Sequence, residues 1–191
     1  MSILPIDTGR YGTKEMLDIF REQKKIDYQL DIESAAALSQ SEIGLIPASI
    51  AKDISRMAKS GKITARRIKQ LEAKSDHDTA ALVEALAEKC NKESRPWVHY
   101  GLTSNDLVDT SNSMQMRDAI KIIQPKVSKL SLLLAKNAVK HRSVPAVGRT
   151  HGQHASIISF GLKFANWAAE MSTHLERLDE IKKRVLICKT L

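Results

Sequence analysis

The sequence contains few aromatic residues, few glycines and prolines, and almost no cysteine. Aromatic side chains are 4% of the 191 residues, and eight glycines and five prolines are too few for the many turns of an all-β fold. The two cysteines, Cys90 and Cys188, form no metal-binding or disulfide pattern, which is typical of reduced, cytosolic thiols. No apolar run reaches membrane-spanning length, and the N-terminus lacks the layout of a signal peptide. These absences predict a cytoplasmic protein that neither spans nor binds a membrane.

The residues that are abundant favour helices. Hydrophobic residues are 42% and charged residues 27% of the chain, and Ala, Leu, Ile, Lys and Glu dominate. The net charge of +8 is compatible with a nucleic acid or a small anionic substrate. The densest basic stretch, Lys52 to Arg67, has apolar residues at helical spacing and no aromatic residue for base stacking. We therefore interpret it as solvated helix faces, and a helical nucleic-acid-binding module stays an alternative.

Apolar periodicity predicts a small helical domain over residues 1–95. Its helices are expected over the following segments: Lys14 to Leu38, Ala48 to Lys59, a segment that begins near Thr64, and a segment capped by Asp78 or Thr79. Gly61 is the kind of residue at which helices stop.

Residues 96–191 carry two longer apolar stripes, which predict the first part of a central helical bundle. The stripe residues are Ile120, Ile123, Val127, Leu130, Leu134 and His141 in the first, and Phe160, Phe164, Trp167, Met171, Leu175, Leu178 and Val185 in the second. Pro125 is expected either to kink the first helix or to mark its first turn. Two such helices cannot bury their stripes alone, so other helices must pack on them, from this chain or from other copies. The fold class is therefore all-α.

Four polar islands interrupt the helical pattern, and three of them contain histidine, the residue best suited to proton transfer near neutral pH. Their sequences are GRY, SDHD, VHYGLTSND and VGRTHGQHAS. A metal site would need His151 and His154 on one helix face, with His77 and His99 adding ligands, but the HExxH pattern is absent. Nucleophilic catalysis by Ser104 lacks the strand–turn–helix context of a nucleophile elbow.

Together these islands resemble the adenylosuccinate lyase family of the fumarase/aspartase superfamily. HYGLTSNDLVDT and GRTHGQHA match two of its motifs, GRYGTKEM is similar to its Arg-Tyr…Glu-Met opening, and SDHDTAALVEAL to its His-Asp segment. The resemblance implies a β-elimination without cofactor or metal, which splits adenylosuccinate into AMP and fumarate and also cleaves a succinyl-carboxamide ribotide. It further implies a homotetramer in which each active site uses segments from three subunits, and no nucleic-acid partner.

The resemblance also implies roles for individual residues. His151 matches the general acid that protonates the leaving nitrogen, and His77 lies close to the catalytic histidine of its segment. Matches to substrate contacts are Arg10 and Tyr11 at the nucleotide phosphate, Thr103 and Ser104 at the succinyl end, and Asp78, His99 and Thr150. If His151 closely precedes the long helix, the helix N-terminus disfavours its charged form.

The sequence differs from the family pattern at three places. Asp76 stands where the family usually has a basic or neutral residue. The segment after His154 reads Ala-Ser-Ile-Ile-Ser where the family has Ala-Glu-Pro-Thr-Thr, and the serine-rich loop that carries the family's catalytic base is absent. We therefore expect these 191 residues to be the N-terminal part of the enzyme and to be inactive alone. Argininosuccinate lyase and a non-catalytic oligomerisation module are the alternative identities.

Overall fold

The computed structural model describes residues 11–190, and its regular structure is almost entirely helical. The α-helices are α1 (Lys14–Phe20), α2 (Glu22–Glu42), α3 (Ala48–Ala58), α4 (Ala65–Ser75), α5 (Asp78–Lys89), α6 (Ser104–Lys140) and α7 (Phe160–Val185). The only β structure in this part of the chain is a hairpin of β1 (Pro145–Thr150) and β2 (Gln153–Ser159). The all-α prediction is confirmed, although no strand was expected. None of the helices described is both long and apolar enough to cross a membrane.

The chain divides into two compact units, and the division falls inside α6. Among the described residues, the first unit comprises 11–118 and 186–190, and the second comprises Ala119–Val185. Helix α6 continues through Pro125, which lies 21 residues after the start of the helix at Ser104. The alternative that Pro125 marks a first turn is therefore wrong. The domain boundary expected near residue 95 stays a prediction.

The core of the first unit is formed mainly by the apolar faces of α2 to α5, with Ile63 from the segment before α4 and Leu107 from the start of α6. Helices α2 and α3 pack against each other, as do α4 and α5. Completely or almost completely buried side chains at the centre are Ile54, Ile63, Leu71, Leu82, Leu86 and Leu107. This core gives the elements that carry the islands SDHD and VHYGLTSND a fixed framework, because close-packed interiors resist small displacements.

Side chains cap the starts of three helices in this unit. The hydroxyl oxygens of Thr13 and Thr64 accept hydrogen bonds from backbone N–H groups three residues later, at 3.4 and 3.3 Å. At the start of α5 the cap is the ring of His77, whose Nδ1 accepts from the backbone N–H of Ala80 at 3.3 Å. The expected caps, Asp78 and Thr79, are instead the first two residues of the helix, because the chain adopts helical dihedrals one residue earlier.

Asp53 is a buried carboxylate that joins α3 to the end of α5. Its oxygens accept hydrogen bonds from the backbone N–H of Asn91 at 2.8 Å and from Arg56 at 2.5 Å. Burial raises the pKa of Asp53, but the hydrogen bonds from Asn91, Ser94 and Arg56 outweigh it and hold the pKa below its ordinary value of 3.8. The carboxylate therefore stabilises the folded state in its ionised form.

This lowered pKa predicts an acid-sensitive contribution to stability. Because the pKa is lower in the folded than in the unfolded state, the contribution is complete above pH 3.8 and is lost as the pH falls through the folded value. We expect the unfolding free energy of the wild type to fall more steeply below about pH 4 than that of Asp53→Asn, which has no proton to gain. Urea unfolding at a series of pH values measures both slopes, and equal slopes would contradict this role of Asp53.

In the second unit, α7 begins against the end of α6. The backbone N–H of Gly161 donates to the carbonyl of His141 at 3.0 Å. The rings of His141, Phe160, Phe164 and Trp167 form a chain of aromatic contacts with centroids 5.2 to 5.9 Å apart. Farther along, Gln124 donates to Asp179 at 3.0 Å. These contacts pair the two long helices, as their stripes require.

Candidate active site

A cleft in the first unit collects residues from two of the polar islands. It has a volume of about 480 Å³ and lies between the first turns of α5 and the loop that leads into α6. Its chemistry-bearing residues are His77, Thr79 and Glu84 from the α5 side and His99, Thr103 and Ser104 from the loop side. Four of these six are residues that the sequence marks as catalytic or substrate-binding. His77 and His99, which are 22 residues apart in the sequence, therefore line the same cleft.

His77 contributes to the cleft while its ring caps α5. Because Nδ1 accepts the hydrogen bond from Ala80, a neutral His77 ring carries its proton on Nε2. The neighbouring Asp78 uses its Oδ1 to accept from the backbone N–H of Thr79 at 2.6 Å. Asp78 lines a separate, smaller pocket of about 100 Å³ formed with α2 and α4. The cleft therefore contains His77 but not Asp78, and a substrate contact by Asp78 stays a prediction.

Thr103 and Ser104 lie where the loop turns into α6. The backbone N–H of Thr103 donates to the carboxylate of Asp106 at 2.9 Å, and Asp106 returns a bond from its own N–H to the carbonyl of Thr103 at 3.0 Å. This reciprocal pair fixes the start of the helix. Both hydroxyl-bearing residues are half-buried at the cleft. They provide two hydrogen-bond donors suited to an anionic group.

His99 lies on the loop side of the cleft with an unusual backbone. Its φ is +63°, and it is one of three non-glycine residues with positive φ in the described part of the chain, with Asp76 and His151. Such conformations are uncommon for residues that have a Cβ atom and cluster at functional sites. A buried carboxylate, Glu33 of α2, contacts both the ring and the backbone of His99. Sequence reasoning missed Glu33.

His151 lies at the tip of the β1–β2 hairpin in the second unit. Thr150 pairs with Gln153, so His151 and Gly152 form a two-residue loop, and both have positive φ, +50° and +74°. That is the pattern of a type I′ turn, whose twist suits a hairpin. His151 and Thr150 are both exposed.

Two conditions considered for this stretch are not met. His151 and His154 do not share a helix face, since His154 follows the turn in β2. Nor does His151 closely precede the long helix, because β2 separates it from the start of α7 at Phe160. The field of that helix N-terminus, which falls off within one turn, therefore does not act on His151.

The remaining expected contacts lie at the N-terminus. Tyr11 is the first described residue, and its side chain is 73% exposed. Arg10 lies outside the described residues. Within residues 11–190, no three His, Cys, Asp or Glu side chains are grouped closely enough to hold a metal ion.

Cys90 lies in the core of the first unit, and burial raises the pKa of its thiol to about 11. A thiol with that pKa is protonated and unreactive at neutral pH. Cys90 is therefore a packing residue and not a nucleophile.

Comparison with known proteins assigns the family. The sequence profile of the lyase family matches residues 9–191, and the chain belongs to that family. It is 43% identical to the adenylosuccinate lyase of Methanocaldococcus jannaschii over 187 residues, which is 98% of this chain and 40% of that enzyme. The N-acetyl-S-(2-succino)cysteine lyase of Enterococcus italicus is 39% identical, over 93% of this chain and 39% of the relative. The resemblance predicted from the four islands is confirmed.

A solved structure agrees with the fold. The crystal structure of a fumarate lyase from Mesorhizobium superposes with a TM-score of 0.87 at 31% identity, over 94% of this chain and 43% of that one. The chain therefore spans about two fifths of the length of the relatives that it matches.

Proposed function

We propose that this chain is part of an adenylosuccinate lyase, which eliminates fumarate from adenylosuccinate to give AMP and cleaves a succinyl-carboxamide ribotide in the same way. The observation that carries the proposal is the cleft at which His77, His99, Thr103 and Ser104 meet. Imidazoles for proton transfer and hydroxyls for a carboxylate are the groups that this elimination needs. The match to adenylosuccinate lyases over nearly all of the chain supports the same reaction.

In the proposed reaction a base removes the proton from the carbon next to a succinyl carboxylate, and the carbon–nitrogen bond then breaks. The electron pair of the C–H bond becomes the double bond of fumarate, and the leaving nitrogen takes up a proton. Negative charge builds on the carboxylate before the bond breaks, so hydrogen bonds from Thr103 and Ser104 stabilise the transition state. His151 supplies the proton to nitrogen. We assign the base to the part of the enzyme that follows the segment matched here.

The proposed enzyme is a cytoplasmic homotetramer whose subunits share active sites. Large apolar side chains stay exposed on the second unit, among them Leu132, Val139 and Trp167, which is 49% exposed. Long helices usually cover such apolar surface by packing against other helices, so these exposed side chains support an assembly in which helices of other subunits bury them. In the tetramer, His151 of one subunit would complete a site formed with the cleft of another. The nucleotide is the small-molecule partner of that site.

A second candidate reaction uses the same elimination with a different leaving group. The N-acetyl-S-(2-succino)cysteine lyase of Enterococcus italicus is nearly as similar to this chain as the adenylosuccinate lyases are. Its name indicates a succinyl group on sulfur, so the succinyl-binding hydroxyls would serve both substrates. The leaving groups differ in size and charge, and this difference makes the two reactions separable in an assay.

The test uses a chimera in which residues 1–191 replace the matched segment of the Methanocaldococcus jannaschii enzyme. We expect the chimera to release fumarate and AMP from adenylosuccinate, measured by absorbance and chromatography, and to prefer it over N-acetyl-S-(2-succino)cysteine and argininosuccinate. The 191-residue chain alone should release none. Cleavage of only the sulfur substrate would move the assignment to the second reaction. A chimera that folds and forms tetramers but cleaves none of these substrates would contradict both proposed reactions.

A further inference from the structure

One buried carboxylate holds both the ring and the backbone of His99. The Nδ1 of His99 lies 2.6 Å from Oε1 of Glu33, and the backbone N–H of His99 donates to Oε2 at 3.1 Å. The side chain of Glu33 is 2% exposed and the ring of His99 is 20% exposed. An ionised carboxylate has only acceptors, so Nδ1 must be the donor and must carry a proton.

The same face of α2 anchors the next residue of the loop. Gln40 donates from its Nε2 to the carbonyl of Tyr100 at 2.6 Å. Glu33 and Gln40 are seven residues apart, which places them on one side of the helix. The loop is thus tied to a rigid element at two adjacent residues. His99 cannot change its positive φ or rotate its ring without breaking the contacts with Glu33.

The two histidines of the cleft are consequently held in opposite ways. His77 accepts a hydrogen bond through Nδ1, whereas His99 donates one through Nδ1. Glu33 does not line the cleft, but His99 does. With Nδ1 occupied by Glu33, Nε2 is the ring nitrogen that His99 has left for a ligand.

We propose that Glu33 is a positioning residue, which keeps the proton of His99 on Nδ1 and directs Nε2 of His99 to the substrate. The identity of the substrate rests on the function proposed above, whereas the position of the proton does not. A purely structural residue would fix only the shape of the loop. Glu33 also determines which ring nitrogen of His99, and in which protonation state, contacts the nucleotide.

The variant Glu33→Gln separates these roles. Two donors of His99 face two carboxylate oxygens, but an amide has one oxygen and one NH₂ group. If the amide oxygen keeps the backbone N–H, the NH₂ group faces Nδ1, and the proton of the ring moves to Nε2. The loop then stays anchored, but His99 presents a protonated Nε2 to the substrate instead of an unprotonated one.

The first measurement uses the 191-residue chain labelled with ¹⁵N-histidine, in long-range ¹H–¹⁵N spectra at about pH 8.5, well above the ordinary imidazole pKa of about 6.5. We expect a protonated Nδ1 in His99 and an unprotonated Nδ1 in His77, with signals assigned by His99→Gln and His77→Gln. In Glu33→Gln the Nδ1 of His99 should lose its proton. An unprotonated Nδ1 in the wild type, or an unchanged His99 spectrum in the variant, would overturn the proposal.

The second measurement is kinetic and uses the chimera. Glu33→Gln should lower kcat/KM for adenylosuccinate roughly tenfold, as loss of a histidine-orienting partner does. In the His99→Gln background the same change should cost less than about twofold, because Glu33 acts through His99. Equal losses in both backgrounds would show a role independent of His99.

Asp53→Asn is the matched control. It also converts a buried carboxylate that accepts two hydrogen bonds to an amide, and it lies in the same unit but outside the cleft. It should reduce the melting temperature without changing kcat/KM by more than about twofold. A chimera without any lyase activity would count against the proposed function alone, and the ¹⁵N spectra would still decide the role of Glu33.

Discussion

His151→Ala is expected to lower the turnover of adenylosuccinate by the chimera about a hundredfold or more, the usual scale for loss of a general acid. The leaving nitrogen needs a proton as the carbon–nitrogen bond breaks, and alanine cannot supply one. His151 lies exposed at the tip of a two-residue hairpin loop. In the proposed tetramer its ring would reach a substrate held by another subunit. Steady-state kinetics, followed by fumarate absorbance, measure the effect.

Alanine also disfavours the positive φ of this position, so a second substitution is needed to separate chemistry from folding. Asn-Gly is among the most favourable pairs for a type I′ turn, and His151→Asn should therefore keep the hairpin intact. We expect it to lose nearly as much turnover as alanine does, at an unchanged melting temperature. His174→Ala, which removes a half-buried histidine of α7, should leave turnover within about twofold. Turnover near the wild-type level in His151→Asn would contradict the assignment of the general acid.

Gly161→Ala is expected to destabilise the second unit by about 2–3 kcal/mol, the scale of overpacking a close contact. Gly161 is buried at the start of α7, and an added Cβ would clash with the carbonyl oxygen of Ala138 and lie 2.9 Å from the Cα and N atoms of Arg142. These are backbone atoms and cannot rotate away as a side chain would. For a chain of this size the melting temperature should fall by roughly 4–12 °C, as followed by circular dichroism.

The sign of this effect is diagnostic. Replacing glycine by alanine inside a helix usually stabilises it by about 1 kcal/mol, so steric conflict must exceed that gain. Gly152→Ala in the same unit is the control. An added Cβ at Gly152 would meet no neighbouring atom, so the only cost of this substitution comes from the positive φ of +74°. Its cost should be limited to the roughly 1–2 kcal/mol of a left-handed alanine. A stabilised Gly161→Ala variant would show that the two helices separate easily at this contact.

The helices could be predicted from the sequence because their apolar residues repeat at helical spacing. The starts predicted for α3, α4 and α5 agree with the structure to within one or two residues. The cap of α5 was assigned incorrectly because histidine is not among the usual capping residues, so composition gives no sign of it. The prediction of one long helix over 14–38 also missed the break at Arg21, where the chain is extended.

The hairpin was not predicted, although a local signal exists. A two-residue loop that contains glycine, between Val147 on one side and Ile157 and Ile158 on the other, is a possible hairpin pattern. The pattern is short and interrupted by polar residues, and Ile157 is 82% exposed, so no buried face produces a clear alternation. Strand pairing rather than hydrophobic burial defines this element, and pairing partners are not visible in composition.

Glu33 could not be assigned to the site from the sequence. It lies in an ordinary helical segment, 66 residues before His99, and acidic residues on helices usually face water. Its position on the same helix face as the buried Leu30 and Ala37 was the only sign that it points inward. The partner that explains its burial becomes visible only when the loop is folded against α2.

The left-handed backbones of His99 and His151 have a consequence for how such a chain evolves. At both positions glycine or asparagine would relax the main chain, whereas, of these three residue types, only histidine can transfer a proton near neutral pH. Selection for heat resistance without selection for catalysis would therefore replace both histidines early. A thermostable homologue that keeps both histidines would therefore have remained under selection for enzyme activity.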